Sequence, residues 1–341
     1  MNKLLSIIIP TYNMEKYLRK CLDSLIVSDE NMQLLEVLVI NDGSKDSSSL
    51  IAHEYVVKYP QTFRVVDKEN GNYGSCINRG LKEASGKYIK ILDADDYFDS
   101  SVLESMMRII MHIDVDLILS DFNVVDQKGK IAKRYSFNIP RETINDFSSM
   151  TVDRIMWMHA VTYKTGILRE IGYFQTEGIS YTDQEWIFLP MAYISSIWYY
   201  PISLYQYVVG REGQSIDTKV LLKNFSHETV GLFKMVNEYE KVLPICKKQN
   251  LLYLDYQLKS RIRHIYMSYL CRYPSYLSQD EIMKIDNELK KYKNVYEMTD
   301  EVLFMPKIPI PFIKLWHRKF CGYGLIFCML KYMELLIYKI R

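Results

Sequence analysis

The chain has 341 residues, 48% of them hydrophobic and 25% charged, and a formal net charge of +2. That composition is globular, with room for one large domain and an appendage or for two domains, and no repeat or low-complexity segment interrupts it. The charge is uneven: residues 303–341 carry seven Lys/Arg against one Glu, so +6, and the remainder carries −4. A basic, aromatic tail suits a negatively charged surface, membrane or nucleic acid, or a packed helix with a solvated face.

Six cysteines stand at 21, 76, 246, 271, 321 and 328, none in a CxxC pair, and His317 with Cys321 lacks a second ligand pair for zinc. They read as reduced thiols of a cytoplasmic protein. The apolar LLSIIIP is too short for a signal peptide. GYGLIFCMLKYMELLIYKI, the most apolar long window, is broken by Lys331 and Glu334, so no membrane span is expected.

In chain order, Leu4–Ile9 is an apolar run ended by Pro10, as in a buried parallel strand. Met14, Tyr17, Leu18, Cys21, Leu22 and Leu25 follow at helical spacing, with Asn13 as the expected N-cap. Val37–Ile40 predicts a second strand, then come a helix near Ser48–Tyr59 and a strand near Phe63–Val66. KENGNYGSCINRG is a Gly/Asn-rich loop entering a helix that Gly86 is expected to end, and Tyr88–Leu92 is the next strand. Beyond it the pattern predicts a helix over Ser101–His112, a strand over Asp116–Ser120, a loop opening a helix at YTDQEW, and a strand in WYYPISLYQYVV. Residues 216–302 read as helical, Met305–Pro311 as a linker, and the tail from Phe312 as an amphipathic helix.

Strand and helix alternating at these lengths imply right-handed crossovers and a parallel sheet. Ligands of such sheets bind outside the carboxyl ends of the strands. Thr11-Tyr12-Asn13, Asn41-Asp42, Asp67 and Asp93-Ala94-Asp95 each follow a strand, so they share one rim. Clustered carboxylates repel, and a hard dication with its nucleotide would supply the missing positive charge. A solvated acidic turn is the plainer reading of a DxD alone. Neither GxxxxGK[ST] nor GxGxxG follows the first strand. Asp42 suits a base or ribose, and Asn70, Gly71, Asn78 and Arg79 lie in a loop that could face a diphosphate.

SIIIPTYNMEKYLRKCLDSL, EVLVINDGSKDSS and KENGNYGSCINRGLKEASGKYIKILDADDY, in that order across residues 5–97, resemble the family 2 glycosyltransferases of GT-A fold. The likeness weakens towards residue 215. It implies an α/β GT-A domain over 1–215, with 1–100 as the nucleotide-binding half and 101–215 as the acceptor half. A helical extension (216–302) and the basic tail (303–341) follow. The implied activity is inverting, metal-assisted transfer of one sugar from a nucleotide sugar, usually a UDP-sugar, to a glycan or lipid-linked acceptor in surface-polysaccharide synthesis. Carried over by the resemblance, Pro10 and Tyr12 pack on the uracil and Asp42 binds the base. Asp93 holds the ribose or helps with the metal, and Asp95 ligates Mn²⁺ or Mg²⁺. Asn70, Arg79, Ala94 and Arg211 complete the donor site, and Tyr205, Arg211 and Ser215 belong to a loop closing over it. Asp96 stands behind the metal or caps the next helix.

The family usually shows Glu-Asp at the base position. Thr182 replaces that Glu, so Asp183 is the expected general base with Glu185 in reserve, while a helix N-cap is the structural alternative for Asp183. His159 faces the acceptor or is a core histidine, and Trp157, Trp186 and Trp198 are sugar platforms or core. The QxxRW motif of processive synthases is absent, so single-residue transfer is expected. The tail suits a helix in the interface of an anionic inner membrane face, or one packed on the body or on a second copy. Nucleic acid is not an expected partner. A nucleotidyltransferase and a non-catalytic module on the same fold are the alternatives. A glycosidase would need no nucleotide rim.

Overall fold

Val and Ile dominate the first strands because a strand covered on both faces has no polar side to show. The computed structural model describes residues 3–150, 155–211, 214, 217–305, 308–318 and 327–333. In it, β1 (Leu5–Thr11), α1 (Leu18–Asp23), α2 (Asp29–Leu34), β2 (Leu35–Asn41), α3 (Ser48–Lys58), β3 (Phe63–Asp67), α4 (Asn72–Glu83) and β4 (Tyr88–Ile91) follow one another. The four strands are parallel in the order β3-β2-β1-β4. Ile7, Ile9, Val37, Val39 and Ile40 are fully buried, each worth about 1.5–3 kcal/mol of burial.

The second half adds β5 (Tyr97–Phe98), α5 (Ser100–Ile110), β6 (Leu117–Val125), β7 (Ile131–Tyr135), β8 (Ile144–Asp146), β9 (Val161–Lys164), α6 (Thr165–Glu170), α7 (Asp183–Trp186) and β10 (Ser196–Val208). The sheet runs β3-β2-β1-β4-β9-β6-β10-β5, with β7 on β6 and β8 on β10. It is a mixed, mainly parallel GT-A sheet: β9 is antiparallel to β4 and β6, and β6 and β10 are parallel to each other. Because β2 and β4 lie on opposite sides of β1, the strand order reverses there, and a crevice opens at the carboxyl ends of β1 and β4.

Local departures from the sequence reading have local causes. Asn13 is not a helix cap. It sits in the left-handed region (φ 54°) and its Oδ1 accepts the Lys45 N–H at 2.8 Å, stitching the loop after β1 to the loop after β2. The helix therefore starts later, at Leu18. α2 is six residues long, too short to leave a periodic signature. Gly86 lies beyond the end of α4; a Cβ there would stand 2.5 Å from the Ser6 N, so close packing on β1 fixes it as glycine. Asp99, not Asp96, caps α5, accepting from the N–H groups of Ser101 and Val102.

The chain divides into two compact units, Met1–Asp217 with Lys247–Asn250, and Thr218–Cys246 with Leu251–Arg341. The second is helical, as expected: α8 (Thr218–Lys223), α9 (Phe225–Val242), α10 (Lys248–Met267), α11 (Gln279–Leu289), α12 (Lys293–Thr299) and α13 (Phe312–His317). The expected tail helix is thus described as helix over Phe312–His317, with Phe312 and Ile313 buried, and again over 327–333; residues 319–326 and 334–341 lie outside the described residues. Among the described residues no helix is long and apolar enough to cross a membrane.

His317, at the end of α13, places Nε2 2.7 Å from Asp286 Oδ1 and Nδ1 3.1 Å from Asp300 Oδ1. Two acceptors demand two N–H groups, so this geometry belongs to the imidazolium. Burial works against that charge, but the bonds and charges of Asp286 and Asp300 outweigh it and raise the pKa. Tyr266 and Tyr296 face the same ring, and Lys290 pairs with Asp286. The raised folded-state value means the clamp is complete below the ordinary imidazole pKa and is lost as pH rises through the folded value. Amide exchange in α13 is therefore expected to be slower at about pH 5.5 than at about pH 8.5, beyond the intrinsic rate change. In His317→Gln that difference should vanish.

Candidate active site

At the β2 side of the rim, Asp42 follows β2 and is 2% exposed. Its Oδ1 accepts from Lys68 Nζ at 2.5 Å and from the Gly71 N–H at 2.9 Å. Asn70 Nδ2 donates to the Asp42 carbonyl at 2.9 Å, and Lys68 also donates to Ser75 Oγ. Pro10 pairs with Ile40 within β1, and Tyr12, just beyond, is 47% exposed. A cleft of about 560 Å³ opens here, lined by Lys68, Gly71, Ser75, Asn78, Arg79 and Phe174. Arg79 reaches no carboxylate of the rim. Its Nε donates to Glu83 at 2.9 Å along the outer face of α4. Lys68 is the basic group beside Asp42, and sequence reasoning did not single it out. The available signal was its place directly after β3, the same place that marked the other rim residues.

At the centre is the Asp93–Asp96 turn. Asp93 Oδ1 accepts from the Tyr73 hydroxyl at 2.9 Å. Burial, then the neighbouring Asp95 charge, push Asp93 up to about 7. Ala94, between the two carboxylates, is buried at 1% exposure. Asp95 Oδ2 meets Arg211 Nε and Nη2, both at 2.6 Å, and that guanidinium lies over the Tyr17 ring. Ser215 lies outside the described residues. Asp96 is spoken for structurally: Oδ2 accepts from the Tyr205 hydroxyl and Oδ1 from the Val208 N–H, each at 2.7 Å. The Tyr205 oxygen in turn accepts the Asp93 N–H.

His159 is a buried histidine that reaches the rim. One of its ring nitrogens and carboxylate oxygens of Asp93 and Asp96 lie within 4.8 Å of one another, a spacing a metal could bridge. Asp96 is buried and accepts a bond at each oxygen, whereas Asp93 and Asp95 are less covered and offer oxygen donors suited to a hard dication. Arg211 supplies positive charge to that pair in this structure, which is the electrostatic demand a dication would meet. Burial, then the charge of Lys90, hold His159 down to about 3. Lys90 lies beneath, fully buried, with Nζ donating to the His159 and Val161 carbonyls, and burial lowers it to about 7.

Asp183 opens the single turn of α7, with Thr182 as the N-cap residue. Gln184 Nε2 lies 3.3 Å from Asp183 Oδ2. The Asp183 charge adds to the upward push that burial and nearer carboxylates give Asp93 and Tyr73. Glu185 turns inward: it is 4% exposed and its Oε2 accepts the Thr176 N–H at 2.9 Å. Thr182 Oγ1 accepts from Gln175 Nε2 at 2.8 Å. Tyr181, just before, holds φ at 64°, a strained conformation for an aromatic residue that the packed loop maintains.

That loop rests on α4 at Gly74, where a Cβ would stand 2.0 Å from the Thr176 carbonyl oxygen. Gly74→Ala is therefore expected to cost about 1–3 kcal/mol of overpacking. Melting should fall by about 2–4 °C per kcal/mol for a domain of this size. A variant melting with the native chain would show that the loop yields freely.

The switch-point crevice, with the acidic turn at the end of β4, gives residues 1–217 the architecture of a GT-A domain. The family model "Glycosyl transferase family 2" matches residues 6–172, and that part of the chain carries the family's domain. An uncharacterized glycosyltransferase of Mycoplasma genitalium, MG025, is 38% identical over 136 residues, 39% of this chain and 44% of its own length. The chain thus spans less than half the length of the curated relatives it matches. Among solved structures, S. aureus TarS 1–349 in complex with UDP superposes with a TM-score of 0.61 at 19% identity, covering 87% of this chain and 82% of that one. The mannosyltransferase PcManGT of Pyrobaculum calidifontis, in complex with GDP-Man and Mn²⁺, gives 0.51 at 15% identity, covering 87% and 84%. Both likenesses concern the fold.

Proposed function

We propose that the chain transfers a single sugar, with inversion, from a UDP-sugar to a glycan or lipid-linked acceptor hydroxyl. The observation that carries this reading is the Asp93–Asp95 turn at the carboxyl end of β4, beside the switch point of the sheet, with the charge of Asp183 acting on Asp93. Asp42, Asn70 and Lys68 form the polar end suited to a base and ribose, beside Pro10 and Tyr12. Asp95 and Asp93 would hold Mn²⁺ or Mg²⁺, which when bound offsets the charge of the departing diphosphate. Arg211 is placed to exchange Asp95 for a diphosphate oxygen, since a guanidinium bonds either group through the same fork. Asp183 takes the proton of the attacking hydroxyl. The TarS complexes with UDP and UDP-GlcNAc favour uridine as the nucleotide. The +6 charge of 303–341 supports attachment at an anionic inner membrane face.

Calorimetric titration with UDP, with and without Mn²⁺, tests the donor site. Binding that requires the metal supports the reading. UDP failing to bind in either condition would sink it.

A further inference from the structure

Trp157 is 42% exposed, whereas Trp186 is fully buried. Its indole is held from behind by three rings, Tyr135 at 5.6 Å and Phe122 and His159 at 6.3 Å between centroids. The next residue, Met158, touches the Tyr73 hydroxyl that also donates to Asp93. The His159 ring packs 4.5 Å from Tyr207, on which the charges of Asp93, Asp95, Asp96 and Asp183 act. Trp157 thus stands beside the reacting centre. It precedes β9, which flanks β4 on the side away from β1, β2 and the Asp42 end. A nucleotide lying along β1 and β2 leaves this side for the acceptor.

We propose that Trp157 is the floor of an acceptor subsite, and that the acceptor group it takes is a pyranose. The inference rests on the transferase reading above. A pyranose has a C–H-rich face that matches an indole face and a hydroxyl-bearing edge that can point at a base. The three supporting rings fix the indole in advance, so stacking orders little that is not already ordered. An extended polyol phosphate has no such flat apolar face, and charge would govern its binding instead.

Saturation-transfer NMR tests this on the full chain with UDP and Mn²⁺ present. The probes are the methyl β-glycosides of glucose, galactose and N-acetylglucosamine, with glycerol phosphate alongside. At least one glycoside should bind the native chain, with its ring C–H protons receiving the strongest transfer. Trp157→Ala should weaken that glycoside about tenfold, the scale of one aromatic stacking contact. Trp157→Phe should keep most of the affinity, and UDP affinity should be unchanged in both variants. If UDP binds and no glycoside does, or Trp157→Ala binds it as the native chain does, or only glycerol phosphate binds, the subsite is overturned while the donor reading stands. If UDP itself fails to bind the native chain, the transferase reading and this inference fall together.

Discussion

Asp183→Asn is expected to lower turnover by about 10²–10⁴-fold, the usual share of a positioned general base, and to leave UDP affinity within about twofold. The asparagine keeps the shape of the α7 turn and can still accept from Gln184 Nε2, but it cannot take a proton at neutral pH. Its distinguishing feature is that split between chemistry and binding. Glu185→Gln is the matching control. Glu185 is buried and holds the Thr176 N–H, so its loss should appear first as lower thermal stability. Release of UDP from a UDP-sugar, followed beside calorimetry, reads both variants. Wild-type turnover in Asp183→Asn would remove Asp183 from the chemistry and reopen the choice of base. Equal stability of Glu185→Gln and the native chain would contradict the anchoring role.

Asp95→Ala is expected to weaken UDP binding in Mn²⁺ by about a hundredfold, the upper end of what lesser changes around metal sites cost. The residual affinity should no longer depend on the metal. The change removes the oxygen that Arg211 grips at 2.6 Å. In the nucleotide-free chain it frees a buried guanidinium, which costs stability of its own. Measuring UDP affinity in EDTA as well as in Mn²⁺ separates the two effects. A metal effect should vanish only in the Mn²⁺ series, whereas a damaged fold would weaken both. If Asp95→Ala bound UDP with native metal dependence, the cation would have to be held elsewhere. The Asp93 and His159 side of the turn would then be examined first.

Much of the rim was legible because its logic is one-dimensional. Each parallel strand ends in a polar residue, and a shared strand direction forces those ends to one edge. Thr11, Asn41, Asp67 and the Asp93 turn were found that way. Arg79 lies on α4, where it lines the cleft and pairs with Glu83, one helical turn on, a pairing that position in the loop did not suggest. Lys68 is the converse case, an ordinary lysine until the fold brings it to Asp42 across 26 residues. Asp96 read as a helix cap or a group behind the metal; Asp99 takes the cap, and Asp96, beside Asp93 and His159, is held by Tyr205 and Val208, more than 100 residues away.

The sequence by itself determined the order of strands and helices through β4, α2 apart, the edge at which the crevice lies and the carboxylates that crowd it. Those follow from local periodicity and from the rule that parallel strands present their ends together. Only the tertiary structure decided which polar group answers which. It matched Arg211 to Asp95, Lys68 to Asp42, Tyr205 to both Asp96 and Asp93, and the Phe122–Tyr135–His159 support to Trp157. Hydrogen bonds and ion pairs act over about 3 Å between residues far apart in the chain, and spacing along a sequence does not encode that distance until the sheet has closed.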